Sequence, residues 1–387
     1  MRSAAVVILS KKKEKDKGVH RYYDYSLLVL TLFLIGFGLI MIYSTSSYNA
    51  TRYMGDPMYY LKRQGFFALL GIPFLLFVSK LDYHWYIKRT PKLGINLLLP
   101  LYVLCIVLQV MVIIFGKEIN GAKRWLEIKG IGSFQPSEIT KICVILLTAY
   151  IVYLAPKKLN HFWGFLRVAL FISPLLVLVI IENLSTAIVM AAVFAVICFV
   201  ASRKKMYYIV VGILGVGFVI AYIFLGEGFR GDRVDAWLNV ETHEKGYQIL
   251  QGLYAIASGG MFGKGLGESM QKLGFIPESH NDMIFSVICE ELGLVGALAV
   301  ILLFLLLIWR LFVVAINAPD LYGSLICVGV LTHIAVQVII NIAVVTNSMP
   351  STGIPLPFIS YGGSSLLVLM SEMGIALSVS NRITYER

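Results

Sequence analysis

Charge is scarce in this sequence. Asp, Glu, Lys and Arg make up 14% of its 387 residues, where a soluble domain carries about 25%. A water-soluble globular fold of this length could not cover its surface with so few charges, so that class is excluded. Cysteine and histidine are also rare, with 5 and 6 residues. Cys105, Cys143, Cys198, Cys289 and Cys327 all lie within apolar stretches, far from any spaced Cys or His partner. That excludes a disulfide framework and a zinc site, and leaves five packing residues. No low-complexity linker and no internal repeat is visible, which removes the usual signature of an inverted-repeat transporter. The apolar stretch Ala4–Ser10 is too short for a signal segment, so no cleavage is expected.

Apolar residues fill the space that charge leaves. They are 58% of the chain, and the mean hydropathy is +0.80. Runs long enough to span a bilayer occur at about 26–46, 62–80, 94–116, 137–155, 163–181, 185–202, 206–226, 283–310, 321–345 and 363–381. The expected fold is an all-α polytopic membrane protein of about ten transmembrane helices. A basic tail (1–25) precedes a single membrane domain (26–381), which holds one large loop between the seventh and eighth spans (227–282). A short end (382–387) follows.

The net charge of +11 could suggest a nucleic-acid partner, but its placement argues for a membrane. Lys11, Lys12, Lys13, Lys15, Lys17 and Arg21 precede the first span, and Lys80, Lys88, Arg89 and Lys92 follow the second. Lys157 and Lys158 follow the fourth, Arg203, Lys204 and Lys205 the sixth, Arg310 closes the eighth and Arg382 the tenth. Basic clusters on alternate connections place both termini in the cytoplasm, and an even number of spans agrees. The N-terminal lysines then form a solvated tail beside anionic lipid, with no nucleic-acid role.

The other connections face outward and carry Gly, Pro and mixed charge. Ser47–Leu61 holds Tyr53, Tyr59 and Tyr60, an interfacial aromatic belt. Between the third and fourth spans stand Asn120-Gly-Ala-Lys-Arg-Trp125 and Gln135-Pro-Ser-Glu138, with Lys141 one turn on. The long loop supplies Arg230 and Arg233, spaced to share a helical face, then Lys245, Lys264 and Lys272. Arginine forks match phosphate oxygens in pairs, so these cations suit a pyrophosphate, or else they bridge Asp232, Asp235, Glu241 and Glu244. Pro277-Glu-Ser-His-Asn-Asp282 runs into the eighth span. Asp282 there either caps the helix or acts as a general base beside a lipid headgroup. Glu290 shares its helical face by spacing, and Glu291 lies beside it. His333, Gln337 and Asn341 form one polar stripe on the ninth span, and Glu372 is buried on the tenth. Together these are read as interhelical hydrogen bonding. The glycine-rich run Ser258–Ser269 lacks both nucleotide-loop spacings and reads as a tight or flexible loop. Ser364 or Ser365 can cap the tenth span, whose exposed N–H groups also suit an anion.

Taken together and in order, these outward motifs resemble the SEDS family (shape, elongation, division and sporulation), which includes FtsW, RodA and SpoVE. The resemblance is carried by residues 120–125, Gln135–Glu138 with Lys141, and Gln248 with Gln251 before Ala255–Gly260. It continues through Gly263–Ser269, Pro277–Asp282 with Glu290-Glu291-Leu-Gly293, and Gly353–Ser365. The wording of the last two loops is nearer the division and sporulation branch. One departure stands out. Where the family has Q-P-D-L-G-T, this chain reads Ile181-Glu-Asn-Leu-Ser-Thr186, with Asn183 in place of the acid.

The resemblance implies ten helices and a peptidoglycan glycosyltransferase that polymerises lipid II, an undecaprenyl-pyrophosphate-linked glycan. It implies Asp282 as the base, with Arg124 and Lys141 as essential positions. Lys123, Glu138, Arg230, Arg233, Lys272, His280 and Ser364 are the further candidates for binding substrate or pyrophosphate. No metal ligand set is visible, although a divalent cation such as Mg or Mn on the pyrophosphate would be compatible. Implied partners are a class B penicillin-binding protein (the crosslinking transpeptidase) and other divisome proteins, at the septum of the bacterial cytoplasmic membrane. The alternative is a lipid II flippase whose path follows Glu290, Glu291, His333 and Glu372.

Overall fold

The structure, a computed structural model, describes residues 19–88, 94–119, 122–128, 132–224 and 229–386. The lysines at 11–17, together with Arg89 and Lys92, lie outside them. Twelve α-helices follow in order: α1 Tyr25–Met54, α2 Tyr59–Lys80, α3 Leu98–Phe115, α4 Pro136–Leu154, α5 Phe162–Glu182, α6 Leu184–Ala201, α7 Lys205–Phe224, α8 Phe229–Leu238, α9 Tyr247–Gly259, α10 Ile284–Ile316, α11 Leu321–Val345 and α12 Gly363–Ser380. Nine of the helices are long and apolar enough to cross a bilayer among the described residues: α1 to α6 and α10 to α12. The 20-residue α7 occupies the place of the remaining expected span. The fold is therefore that of an all-α polytopic membrane protein. A backbone in hydrocarbon must bond to itself, and a helix does this within one segment. Helices α4, α11 and α12 are the most enclosed, while α3 and α5 turn most of their surface outward.

The short strands were not foreseen. β1 (Val19–Tyr22) pairs antiparallel with β5 (Ile383–Glu386). This pairing puts the two ends of the described chain on one side of the bundle. Arg310, expected among the topogenic charges, also binds Asp24 at 2.6 Å, and Asp24 caps α1 through the Leu27 N–H. On the opposite side β2 (Lys117–Ile119), β3 (Ala122–Ile128) and β4 (Gly132–Phe134) form an antiparallel sheet where only a loop was expected. The long loop is not irregular either, because α8 and α9 lie within it.

One break organises the region around this loop. Gly293 interrupts α10 at φ 69° and ψ −169°, a conformation reserved for glycine. The glycine-rich turn after α9 fills the gap. Lys264 and Gly265 N–H donate to the Glu290 and Glu291 carbonyls, each at 2.9 Å, and Leu294 and Val295 N–H donate to Gly260 and Met261 at 2.9 and 3.1 Å. Irregular backbone at membrane depth persists where protein satisfies it in this way. Side chains add to the clasp. Glu290 pairs with Lys264 at 2.6 Å, and Glu291 with Lys272 at 2.7 Å and with Ser44 of α1 at 2.6 and 2.8 Å.

Candidate functional site

The clasp fixes the outer end of α10, and Asp282 stands just ahead of it. The helix begins at Ile284, and its cap residue Met283 makes no side-chain cap bond. Asp282 is therefore not the cap, and being outside the helix it does not share a helical face with Glu290. Asn341, fully buried near the end of α11, donates to the Asp282 backbone carbonyl at 2.8 Å and to the Ile354 carbonyl at 2.9 Å. Gln337, one turn earlier, donates to the Pro355 carbonyl at 3.3 Å. The polar stripe on the ninth span thus fastens two loops, one of which carries the carboxylate. Ser360 ties the same loops together by donating to the Asn281 carbonyl at 2.7 Å and accepting from the Leu356 N–H.

The carboxylate itself meets Gln248 of α9, whose amide reaches Oδ1 at 3.4 Å and the Pro277 carbonyl at 3.2 Å. Gly353 stands on its other side at φ +68°, where an added Cβ would lie 4.0 Å from Oδ2. Burial pushes the Asp282 carboxyl up to about 6, with Glu278 adding to the rise and Arg233 and Gln248 opposing it. Arg233 of α8 donates to the Ser351 carbonyl at 3.2 Å, which holds it over the last loop. Burial also lowers its own pKa, while the charge of Asp282 raises it. Arg124 is lowered by burial and then by the like charge of Arg233, and it donates from Nε to the Glu182 carbonyl at 3.2 Å. An ionisable acid and two desolvated guanidiniums therefore share one electrostatic neighbourhood, an arrangement that suits a proton acceptor beside an anion.

The other expected residues are distributed around this centre. Side chains alternate along β3, so Lys123 points to solvent while Arg124 turns inward. Lys141 and Glu138 pair with each other at 3.0 Å on the first turn of α4, both buried, and Glu138 keeps one oxygen with no hydrogen-bond partner. Lys272 is committed to Glu291 and Ser44 on the α1 side. His280 lies between Tyr60 and Tyr361, with ring centroids 4.3 and 5.5 Å away, and burial lowers it to about 4. Tyr60 thus packs inward rather than serving only as interfacial belt. Arg230 stands in α8 with its side chain outside the described residues, as does the side chain of Lys245. Ser364 and Ser365 fall within the first turn of α12. Its cap is Gly362, which has no side chain to offer, so the expected serine cap is corrected. Leu356 and Phe358 of the last outward loop are buried among protein side chains.

Two contributors, Glu182 and Gln248, stood in recognised motifs with no role assigned to them. Glu182, buried at the end of α5, is held by Gln109. In the amide orientation that satisfies both of its ends, Gln109 donates to the two carboxylate oxygens at 2.9 and 2.7 Å and accepts from the Ser137 N–H and Thr140. Next to it Asn183 caps α6 by accepting from the Thr186 N–H at 3.2 Å, a role that needs an oxygen and no charge. Gln248 was visible as a motif residue, but its partner was not. Among the described residues no three His, Cys, Asp or Glu side chains group to hold a metal ion. Asp282, with the Gln248 amide and the charge of Arg233 beside it, does not by itself fit a cation.

Residues 25–385 match the FtsW/RodA/SpoVE cell cycle protein family. The chain is 38% identical to stage V sporulation protein E of Bacillus subtilis (strain 168), covering 94% of this chain and 98% of that one. It is 36% identical to a probable peptidoglycan glycosyltransferase FtsW of Trichlorobacter lovleyi, covering 92% and 93%. Among solved structures it resembles a chain of a peptidoglycan synthase complex that coordinates polymerization and crosslinking, with TM-score 0.75, 26% identity and coverage of 92% and 97%. It also resembles the rod shape determining protein RodA of Thermus thermophilus, with TM-score 0.65, 27% identity and coverage of 94% and 98%. The protein whose loops gather an acid and two arginines at one end of a broken helix belongs to the FtsW/RodA/SpoVE family of cell cycle proteins.

Proposed function

We propose that this protein is an inverting peptidoglycan glycosyltransferase that polymerises lipid II at the outer face of the bacterial cytoplasmic membrane. The observation that carries the reading is the Asp282 carboxylate, which is raised to about 6 by burial, left out of helix capping, and positioned beside Arg233 and Gln248. Two lipid-linked glycans enter from the membrane. Asp282 takes the proton from the C4 hydroxyl of the acceptor, and that oxygen forms the new bond to the anomeric carbon of the donor. The bond from that carbon to the pyrophosphate oxygen breaks, and undecaprenyl pyrophosphate leaves with its charge met by Arg124 and Arg233. One displacement inverts an α-linked donor to a β-linked product and needs no second carboxylate nucleophile. Lys141 completes the cationic lining in this reading, with Glu138 as its counter-ion.

The site then faces outward and both termini lie in the cytoplasm. The side-by-side placement of β1 and β5 supports this, because an even number of spans returns the chain to its starting side. The likeness to a chain of a solved synthase complex supports a class B penicillin-binding protein as partner, with other divisome proteins at the septum. The flippase alternative finds less support. Glu290, Glu291, His333 and Glu372 are each paired within the bundle, to Lys264, to Lys272 and, for the last two, to each other at 2.7 Å. The test is polymerisation of purified lipid II by the full chain with its transpeptidase partner. Asp282→Asn is expected to lose chain formation by about 10²–10⁴-fold. Full retention of activity would exclude the base role, and headgroup translocation in vesicles without glycan products would favour the flippase.

A further inference from the structure

Away from Asp282, one open cavity of about 630 Å³ lies between α1 and the segment that follows the glycine-rich turn. From α1 it is lined by Ile40, Tyr43, Ser44, Ser47, Tyr48, Thr51 and Arg52. These positions advance by three and four residues, so they make one uninterrupted face of the helix. Leu266, Gly267, Lys272 and Leu273 form the opposite wall. The face is graded along its length. Ile40 and Tyr43, at the deep end, are 53% and 42% exposed, whereas Ser47, Thr51 and Arg52 bring hydroxyls and a cation to the rim. From residue 40 to residue 52 the helix rises about 18 Å, close to one leaflet's share of a roughly 30 Å hydrocarbon core.

The charges of the groove are unequal. Lys272 is buried and already neutralised by Glu291 at 2.7 Å. Arg52 is exposed and lies over the face of Tyr53 at 5.7 Å; among the described residues it pairs with no carboxylate. The rim thus offers a single unneutralised guanidinium with the Ser47 hydroxyl beside it, above an apolar slot of leaflet depth, while the Thr51 hydroxyl donates to the Ser47 carbonyl at 2.8 Å.

We propose that this groove binds one anionic phospholipid of the leaflet on the Asp282 side. Its phosphate sits on Arg52 and Ser47, and an acyl chain lies along Ile40, Tyr43, Leu266 and Leu273. One cation matches a single phosphodiester, whereas the pyrophosphate reading of the other site draws on two arginines. The buried ionic wall at Lys272 and Glu291 makes a poor seat for an apolar partner helix. The groove also adjoins the clasp on broken α10, since Lys272 and Ser44 belong to both. A bound lipid would brace the loop that leads to Asp282 without touching the reacting groups.

The test is native mass spectrometry of the purified full chain, titrated with phosphatidylglycerol or phosphatidylcholine. Wild type is expected to retain one phosphatidylglycerol in preference to phosphatidylcholine. Arg52→Gln is expected to weaken that retention about fivefold. Lys62→Gln removes another exposed cation of the same region, outside the groove, and should leave retention unchanged. Ser47→Phe fills the slot and should abolish retention with all charges intact. Equal retention of the two lipids, equal loss in the Arg52 and Lys62 variants, or full retention in Ser47→Phe would each overturn the proposal. Displacement of phosphatidylglycerol by undecaprenyl pyrophosphate would also overturn it, by reassigning the groove to the lipid-linked pyrophosphate.

Discussion

If Asp282 accepts the acceptor's proton, polymerisation must follow the ionised fraction of its carboxyl. Burial holds that group at about 6, so the fraction is about one-tenth at pH 5 and about nine-tenths at pH 7. The rate under kcat/KM conditions should therefore rise about tenfold over that interval and then level off. A carboxyl at the ordinary value of 3.8 would already be ionised at pH 5, and the profile would be flat. His280 does not supply the limb, because burial lowers it to about 4 and leaves it neutral throughout the window. Gln248 and Arg233 both favour the ionised form, so removing either should move the limb to higher pH. Gln248→Leu is the cleaner perturbation, since it deletes one hydrogen bond to Oδ1 and no charge. The assay is lipid II polymerisation by the purified pair between pH 5 and 8, with wild type and Gln248→Leu compared under identical buffers. A flat wild-type profile, or a limb that Gln248→Leu shifts downward, would refute the reasoning.

Other outcomes follow from the packing. Asn341→Leu strands the buried Asp282 and Ile354 carbonyls, and should lower stability by about 2–4 kcal/mol along with activity, read as a thermal midpoint beside a polymerisation rate. Lys272→Met leaves Glu291 buried without its cation and should cost about 3–5 kcal/mol, whereas Lys272→Met with Glu291→Met should recover most of it in the same melting experiment. Gly293→Ala places a Cβ 2.3 Å from the Gly263 nitrogen and 2.5 Å from the Met261 carbonyl oxygen, and should destabilise by about 3 kcal/mol, seen as faster proteolysis of the turn after α9.

Several local features are legible in the sequence alone. The ten apolar runs and the return of both chain ends to one side follow from hydropathy and charge, and the spacing of Arg230 and Arg233 suits the helix they stand in, whereas the strand pairing of those ends does not follow from either. The polar stripe His333, Gln337 and Asn341 was visible as a stripe, but what it binds was not. Asn341 reaches a loop 59 residues earlier in the chain and another 13 residues later, and spacing within one helix carries no information about either. Lys272 and Arg233 looked alike as loop cations, yet one is spent on a buried glutamate and the other is held on the last loop within reach of the charge of Asp282. Alternation along β3 separated Lys123 from Arg124 only once the strand itself was known.

By itself the sequence determined that this chain is a polytopic membrane protein, and where its apolar runs and its Gly-, Pro- and charge-bearing connections lie. Hydropathy, charge and helical period are local properties, and each can be read one segment at a time. Only the tertiary structure decided which of the carboxylates are paired with a cation or a histidine. Glu290, Glu291, Glu138 and Glu372 are each joined to a cation or a histidine by a contact in the fold, while Asp282 is held by its backbone and left with its carboxyl raised. Ionisation depends on what lies within a few ångströms, and the break in α10 brings together residues from the whole length of the chain.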